Sequence, residues 1–296
     1  ATGDYNEFWA SRDYLNQMAP MKAALLMSHG FNDWNVMPEH SYRIYNKARA
    51  MGIPTQIYYH QDGHGGPPPV EMMNRWFTKY LFEIENGVEN DAKAWIVRER
   101  DSQDQPTAYA DFPNPSAESV ILFPQKGGND AGILSSKRSS KEKESLIDNA
   151  NYSGEYLARA KSSNHRLLYT TPILSQDLHL SGTASIEIKM ASSKPAANLS
   201  VWLVALPWED HKNAEIYDNI ITRGWADPQN SKSLTESKPL DPGNFYTLNF
   251  DLQPDDQIIP AGQQIGLMIF SSDQEFTLHP EPGTVLTLDL KDTKII

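Results

Sequence analysis

The sequence predicts an α/β segment followed by an all-β sandwich, and three observations carry that prediction. Over residues 1–90, short apolar runs alternate with amphipathic helical patterns, the grammar of a parallel sheet with crossover helices. From about residue 91 the helical periodicity fades, and short alternating runs separated by Pro and Gly replace it. The chain has 296 residues, 39% hydrophobic and 22% charged, enough to bury a sizeable core in one large or two medium domains.

In the first part, Lys22 to Ser28 is a nearly all-apolar run, as expected for a strand buried on both faces, and it closes on the turn His29-Gly30. After Pro38, Tyr42, Tyr45, Ala48 and Met51 recur every three residues, and Gly52 supplies a stop, so this stretch reads as a capped helix. Gln56 to His60 is a second strand, ended by a Gly- and Pro-rich turn. Val70 to Phe82 is another amphipathic helix.

In the second part, residues 91–296, strands are predicted over 92–98, 119–123, 185–190, 199–205, 245–251, 264–270 and 285–290. Several alternate apolar and polar residues, the mark of half-buried antiparallel strands. The pattern predicts a jelly-roll (galactose-binding-like) β-sandwich. The polar, Ser- and Lys-rich stretch from Gly127 to Asn164 reads as a surface excursion.

Charge and composition exclude several classes. The net charge of −12 disfavours nucleic acid and anionic membranes, which need clustered Lys and Arg. The one basic cluster, Lys137 to Lys143, is interrupted by serines and Glu142 and reads as a solvated loop. No run approaches the roughly 18–20 apolar residues of a membrane span. There is no cysteine, so disulfides and thiolate chemistry are out. The start carries no signal-peptide pattern and no initiator Met, and reads as a processed protein or a piece of a longer one. A cytoplasmic location is expected, with secretion the other reading. A homodimer is one assembly compatible with the sequence.

The residues with chemical potential stand at the C-terminal ends of the first two strands, where open α/β sheets place their sites. One strand delivers Asp33 and the next delivers His64, 31 residues later. An acid and then a histidine is the late part of the chain order Ser…Asp…His. In that chemistry an imidazole takes the proton of a serine, and a carboxylate holds the imidazole in the right tautomer. Asp33 can equally serve only as a turn former, and His64 can sit in an inert Gly-rich loop. His29, Asp33, His60 and His64 are also metal-ligand types, but their spacing matches no tight metal motif. Gly63 to Gly66 is similar to a lipase oxyanion loop, yet no Gly-x-Ser-x-Gly elbow follows it.

Other polar and aromatic residues carry alternative roles. Trp95 and Trp202 fall inside strand patterns and read as core, whereas Trp208 and Trp225 are candidates for carbohydrate-binding loop aromatics. Asp4, Glu7 and Asp13 could meet a substrate amine or simply be solvated acids.

The strings Thr2-Gly-Asp-Tyr-Asn-x-Phe-Trp9, Ser28-His-Gly-Phe-Asn-Asp-Trp-Asn-Val36 and Gln61-Asp-Gly-His64 resemble the X-prolyl dipeptidyl aminopeptidases and their relatives, the cocaine-esterase-like acyl hydrolases. Ser181-Gly182 and Pro260 to Gly266 are similar to the terminal β domain of that family. The resemblance implies the C-terminal part of an α/β-hydrolase sheet over 1–90, with Asp33 as orienting acid and His64 as base. Trp34 and Asn32, on either side of the acid, become candidate substrate-binding residues. It implies no metal and no cofactor. The Asn-Asp-x-Asn-Val string looks more like the proline-specific aminopeptidases than the esterases, which favours peptides with a penultimate proline as substrates. The family's Gly-x-Ser-Tyr-x-Gly nucleophile elbow does not occur in these 296 residues. The serine is therefore expected in an N-terminal part outside this chain, and the chain alone is expected to be inactive. Ester hydrolysis and a non-catalytic glycan- or partner-binding role remain the alternatives.

Overall fold

The computed structural model describes residues 3–99, 101–209 and 219–296. Thr2, which opens one of the strings quoted above, lies outside them. A short helix, α1 (Glu7–Ala10), starts at Asn6, whose side chain accepts from the Phe8 amide at 3.0 Å. Strand β1 (Leu25–Gly30) then leads through helix α2 (Pro38–Ala50) to strand β2 (Thr55–His60). The two strands pair in parallel from Leu25↔Thr55 to Gly30↔His60. Pro38 occupies the first helical position, where its missing N–H costs nothing. Gly52 ends the helix at φ +73°.

Helix α3 (Val70–Tyr80) leads to β3 (Ala94–Ile96), which lies parallel to β2. Strand β4 (Thr107–Tyr109) then turns back antiparallel to β3. This corrects the strand assignment read from the sequence. The run 92–98 had been placed with the sandwich, beyond a division at residue 90. It completes the first sheet instead, because β2–α3–β3 is a second crossover unit. β2 is buried throughout, Thr55, Gln56 and His60 included, as its central place in the sheet requires. β1 is only half-buried over most of its length, because it is an edge in the order β1-β2-β3-β4. Tyr45, Ile57, Tyr59, Ile96 and Phe112 form the core of this part.

The remainder is built from β5 (Phe123–Pro124), β6 (Gly132–Ser135), β7 (Lys143–Ile147), helix α4 (Gly154–Arg159), β8 (Arg166–Thr170), β9 (Leu178–Ser192) and β10 (Leu199–Leu206). There follow β11 (Ile220–Ala226), β12 (Phe245–Ile259), β13 (Gln264–Phe270), β14 (Val285–Asp289) and β15 (Lys294–Ile295). One sheet runs β11-β10-β13-β8-β6-β5 and the other β12-β9-β14-β7, with β15 also on β9. Leu203, Leu267 and Ile269 of the first meet Ile188, Leu248 and Leu288 of the second in one shared core. Two sheets that bury facing sides against each other account for the alternating patterns read from the sequence.

The Gly127–Asn164 stretch is not a loose excursion, for it carries β6, β7 and α4. The buried Arg166 explains how so polar a segment packs. Its guanidinium donates to the carbonyls of Gly128 at 2.6 Å, Asn129 at 2.9 Å, Ala160 at 2.7 Å and Leu157 at 3.3 Å. On the outer face of the same sheet, Trp202, Val204, Ile220 and Phe270 pack beneath Leu157 and Ala158 of α4.

Polar contacts join the two parts. Gln61 Nε2 donates to the Asp256 carbonyl at 2.9 Å, and the Glu39 amide donates to Gln253 Oε1 at 3.1 Å. The latter supplies from β12 the cap that α2 lacks in its own sequence. The Asp256 carboxylate accepts from Arg98 and lies 2.9 Å from His179 Nε2. Among the described residues no helix is long and apolar enough to cross a membrane.

Candidate active site

The turn after β1 presents Phe31 to Val36, and the turn after β2 presents Gln61 to Gly66. Because β1 and β2 are parallel neighbours, both turns emerge at the same sheet end. Asp33 is 2% exposed, and its two oxygens do different work. Oδ1 accepts from the backbone amides of Asn35 at 3.0 Å and Val36 at 2.9 Å. Oδ2 faces His64 Nδ1 at 2.8 Å and His29 Nε2 at 3.1 Å. The two readings weighed from the sequence thus coexist in one side chain: one oxygen shapes the turn, the other faces an imidazole.

Burial raises the pKa of Asp33, but the Val36 amide, His64, the Asn35 amide and His29 together outweigh it and hold the carboxyl below its ordinary range. An ionised Oδ2 only accepts, so His64 Nδ1 carries the proton and Nε2 keeps its lone pair. The His64 side chain is 63% exposed, open to an incoming group. This geometry suits proton abstraction by Nε2.

His29 sits on the other side of the acid. Its Nε2 also lies 2.8 Å from the Val36 carbonyl, an acceptor only, so that nitrogen is the protonated one. His60 is fully buried, with Nδ1 accepting from the Asp62 amide at 3.2 Å and Nε2 without a hydrogen-bond partner. Burial lowers its pKa, with Asp62 acting in the opposite direction. Among the described residues no group of three or more His, Asp or Glu side chains is placed to hold a metal ion.

The structure positions the other candidate residues differently. Asn32 Nδ2 donates to the Gln61 carbonyl at 2.7 Å, tying the acid turn to the histidine turn. Trp34 packs inward on the guanidinium of Arg223, 3.6 Å from its ring centroid, and edge-on to Phe276. Asp4 accepts from Asn230 and the Ser237 amide, and Asp13 accepts from Tyr5 and Asn16, so both hold the N-terminal segment in place. Glu7 lies in the first turn of α1. Trp225 stacks on Phe276 and donates to Asp273, and Trp208 packs on the outer-face cluster, so neither is a free loop aromatic. Trp202 is buried as expected, and Trp95 is half-buried in β3.

Gln61 and Arg223 are site neighbours that the sequence reading did not select. Arg223 had a signal: a lone charge inside the apolar run Ile220 to Ala226. Ser28 also helps, its hydroxyl donating to the Gly66 carbonyl at 2.6 Å and holding the far end of the histidine turn.

The comparisons with known proteins agree with this architecture. A family model for the X-Pro dipeptidyl-peptidase C-terminal non-catalytic domain matches residues 86–296, and one for the X-Pro dipeptidyl-peptidase (S15 family) matches residues 1–66. A Rhodopirellula baltica protein named "Putative Xaa-Pro dipeptidyl-peptidase" is 58% identical over 296 residues, covering 100% of this chain and 47% of that protein. The Lacticaseibacillus rhamnosus Xaa-Pro dipeptidyl-peptidase is 28% identical, covering 98% of this chain and 41% of its own length. Among solved structures, an aminopeptidase from a marine sediment Thaumarchaeota archaeon superposes with a TM-score of 0.76 at 14% identity, covering 99% of this chain and 58% of that one. An α-amino acid ester hydrolase superposes with a TM-score of 0.73 at 14% identity, covering 99% and 58%. At that identity they speak for the fold alone. The chain spans about half the length of curated relatives it matches. By the family model over residues 86–296, the chain belongs to the X-Pro dipeptidyl-peptidase family.

Proposed function

We propose that this chain supplies the acid and the base of a serine-type peptidase that releases Xaa-Pro dipeptides from peptide N-termini. The 2.8 Å contact between Asp33 Oδ2 and His64 Nδ1 is the observation that carries the reading. In it, His64 Nε2 takes the proton of a serine hydroxyl as that oxygen attacks the scissile carbonyl, then returns the proton to the leaving amine. Asp33 stays ionised and stabilises the imidazolium between the two steps. No Gly-x-Ser-x-Gly elbow occurs in these 296 residues, so the serine and the oxyanion hole come from a segment outside them. The shared core of the two β sheets supports reading that part as a jelly-roll sandwich.

The test uses the full-length protein that carries this chain, assayed on an Xaa-Pro anilide. His64→Ala is expected to reduce kcat by on the order of 10⁴-fold or more. Activity left intact by that substitution would remove His64 from the reaction. Simple esters assayed in parallel separate peptidase from ester hydrolase. The 296-residue chain alone is expected to show no turnover; fluorophosphonate-sensitive activity in it would place the nucleophile within this chain.

A further inference from the structure

Arg223 lies at the junction of the sandwich and the acid turn. It is 4% exposed on β11, on the same outer sheet face as its register partner Trp202. Its guanidinium stands 3.6 Å from the Trp34 ring centroid, 4.6 Å from that of Phe276 and 5.0 Å from that of Trp202. The surrounding wall is itself fixed. Asp273, 2% exposed, accepts from Trp202 Nε1 at 3.0 Å and Trp225 Nε1 at 2.9 Å, and Trp225 stacks on Phe276. A buried cation enclosed by aromatic faces and a carboxylate is held by quadrupole and charge together.

Trp34 is the residue after Asp33, and its indole Nε1 is buried without a hydrogen-bond partner. No hydrogen bond therefore sets the ring's orientation; its contacts with the Arg223 guanidinium and the edge of Phe276 do. The same turn fixes Asp33 through the Asn35 and Val36 amides. A displacement of the packed ring that its own torsions do not absorb is passed to the Trp34 backbone, which lies between the acid and those amides. His64, 63% exposed, is then left without the contact at Nδ1 that orients it.

We propose that Arg223 is a positioning residue for the Asp33–His64 pair, acting through its stack on Trp34. The inference rests on the peptidase reading above. It gives the sandwich a role in the reaction: its outer face sets the alignment of the acid.

The experiment measures kcat and KM of the full-length protein on an Xaa-Pro anilide, per mole of folded protein. The variants are Arg223→Met, Arg223→Lys, Trp34→Leu, the double variant Arg223→Met/Trp34→Leu, and His64→Ala. Arg223→Met is expected to lower kcat by about 10- to 100-fold with KM within about twofold, since small misplacements of catalytic groups act on the chemical step. Arg223→Lys keeps the charge without the flat guanidinium over the Trp34 ring and recovers only part of the loss. If Arg223 acts through Trp34, the double variant falls no further than the worse single one. Wild-type kcat in Arg223→Met, a loss confined to KM, or losses that multiply in the double variant would each overturn the inference. Where Arg223→Met does not fold, Arg223→Lys and Trp34→Leu carry the same kcat-against-KM comparison. Retained activity in His64→Ala would overturn the peptidase reading instead, so the two failures are distinguishable.

Discussion

The side-chain amide of Asn32 donates to the Gln61 carbonyl at 2.7 Å, and the Gln61 side chain donates onward to the Asp256 carbonyl at 2.9 Å. The acid turn, the histidine turn and strand β12 of the sandwich are thereby linked in series through two amide side chains. The relative placement of Asp33 and His64 thus depends on residues that touch neither.

Asn32→Ala removes the first link while keeping both Asp33 and His64 in the sequence. We expect a stability loss of about 1 kcal/mol, the ordinary worth of one hydrogen bond with a partner left partly unpaired. In the full-length protein we expect kcat to fall by about tenfold with KM little changed. Asn32→Asp should be worse, because its carboxylate would oppose the Gln61 carbonyl. A rise in KM with kcat unchanged would return Asn32 to the substrate-binding role expected from the sequence.

Stability should carry two separate pH slopes. His60 has a lowered pKa because burial disfavours its charged form, so the unfolded chain binds its proton more readily. Stability therefore rises with pH across the interval from that lowered value up to the ordinary His pKa of about 6.5, and this contribution is flat above it. Asp33 adds a slope of the same sign in a more acidic window, because its carboxyl pKa is lowered as well. Its contribution is complete above the unfolded Asp pKa of about 3.9 and is lost as pH falls through the folded value. His60→Asn, which keeps an acceptor for the Asp62 amide, should remove the first slope. Asp33→Asn should remove the second. Urea midpoints against pH for wild type and both variants decide it; a wild-type slope just below pH 6.5 in His60→Asn would refute the assignment.

How much of this was readable from sequence follows from the range of each interaction. β1, α2, β2 and α3 showed themselves through local periodicity and through stops such as Gly52, which are properties of neighbouring residues. The pair Asp33 and His64 was readable because a parallel pairing puts the ends of consecutive strands side by side. β3 was assigned to the wrong sheet because its three residues, Ala94 to Ile96, carry no information about their partner. Trp34 and Asn32 are candidate substrate contacts in the sequence because they flank the acid, and their structural contacts are a separate matter that the sequence does not show. Their partners, Arg223 and the Gln61 carbonyl, lie far along the chain or in the backbone, where a one-dimensional pattern does not reach.

The histidine turn needs a glycine at position 66 for two reasons at once. Gly66 has φ +89°, and a Cβ there would stand 2.5 Å from His60 Nε2. Gly66→Ala should destabilise by about 2–3 kcal/mol, strain and overlap together, and displace His64. Gly52 offers the control: its φ is +73°, but nothing stands within 4 Å of an added Cβ. Gly52→Ala should cost only about 1 kcal/mol and leave the peptidase rate unchanged. Thermal melts and Xaa-Pro anilide rates on both variants separate them, and equal losses would mean that crowding against His60 is not what demands glycine.

Arg166 gives the sharpest test of how the polar 127–164 stretch is held. The side chain is fully buried, its pKa is lowered to about 10 by burial, and it serves four backbone carbonyls, one within α4 and the others before and after it. A lysine can place one ammonium in that space but cannot reach carbonyls fanned around a planar fork. Arg166→Lys therefore leaves buried carbonyls unpaired and an ill-matched buried charge, at about 3–5 kcal/mol. Arg166→Met removes the charge but orphans all four carbonyls, so it should not rescue the loss. Both variants should expose the segment around Gly127 to Ala160 to limited proteolysis before the rest of the sandwich opens, because its own apolar contribution is small. Cleavage that begins instead in the α/β part, with the 127–164 stretch intact, would show that the guanidinium is not what keeps this polar segment folded.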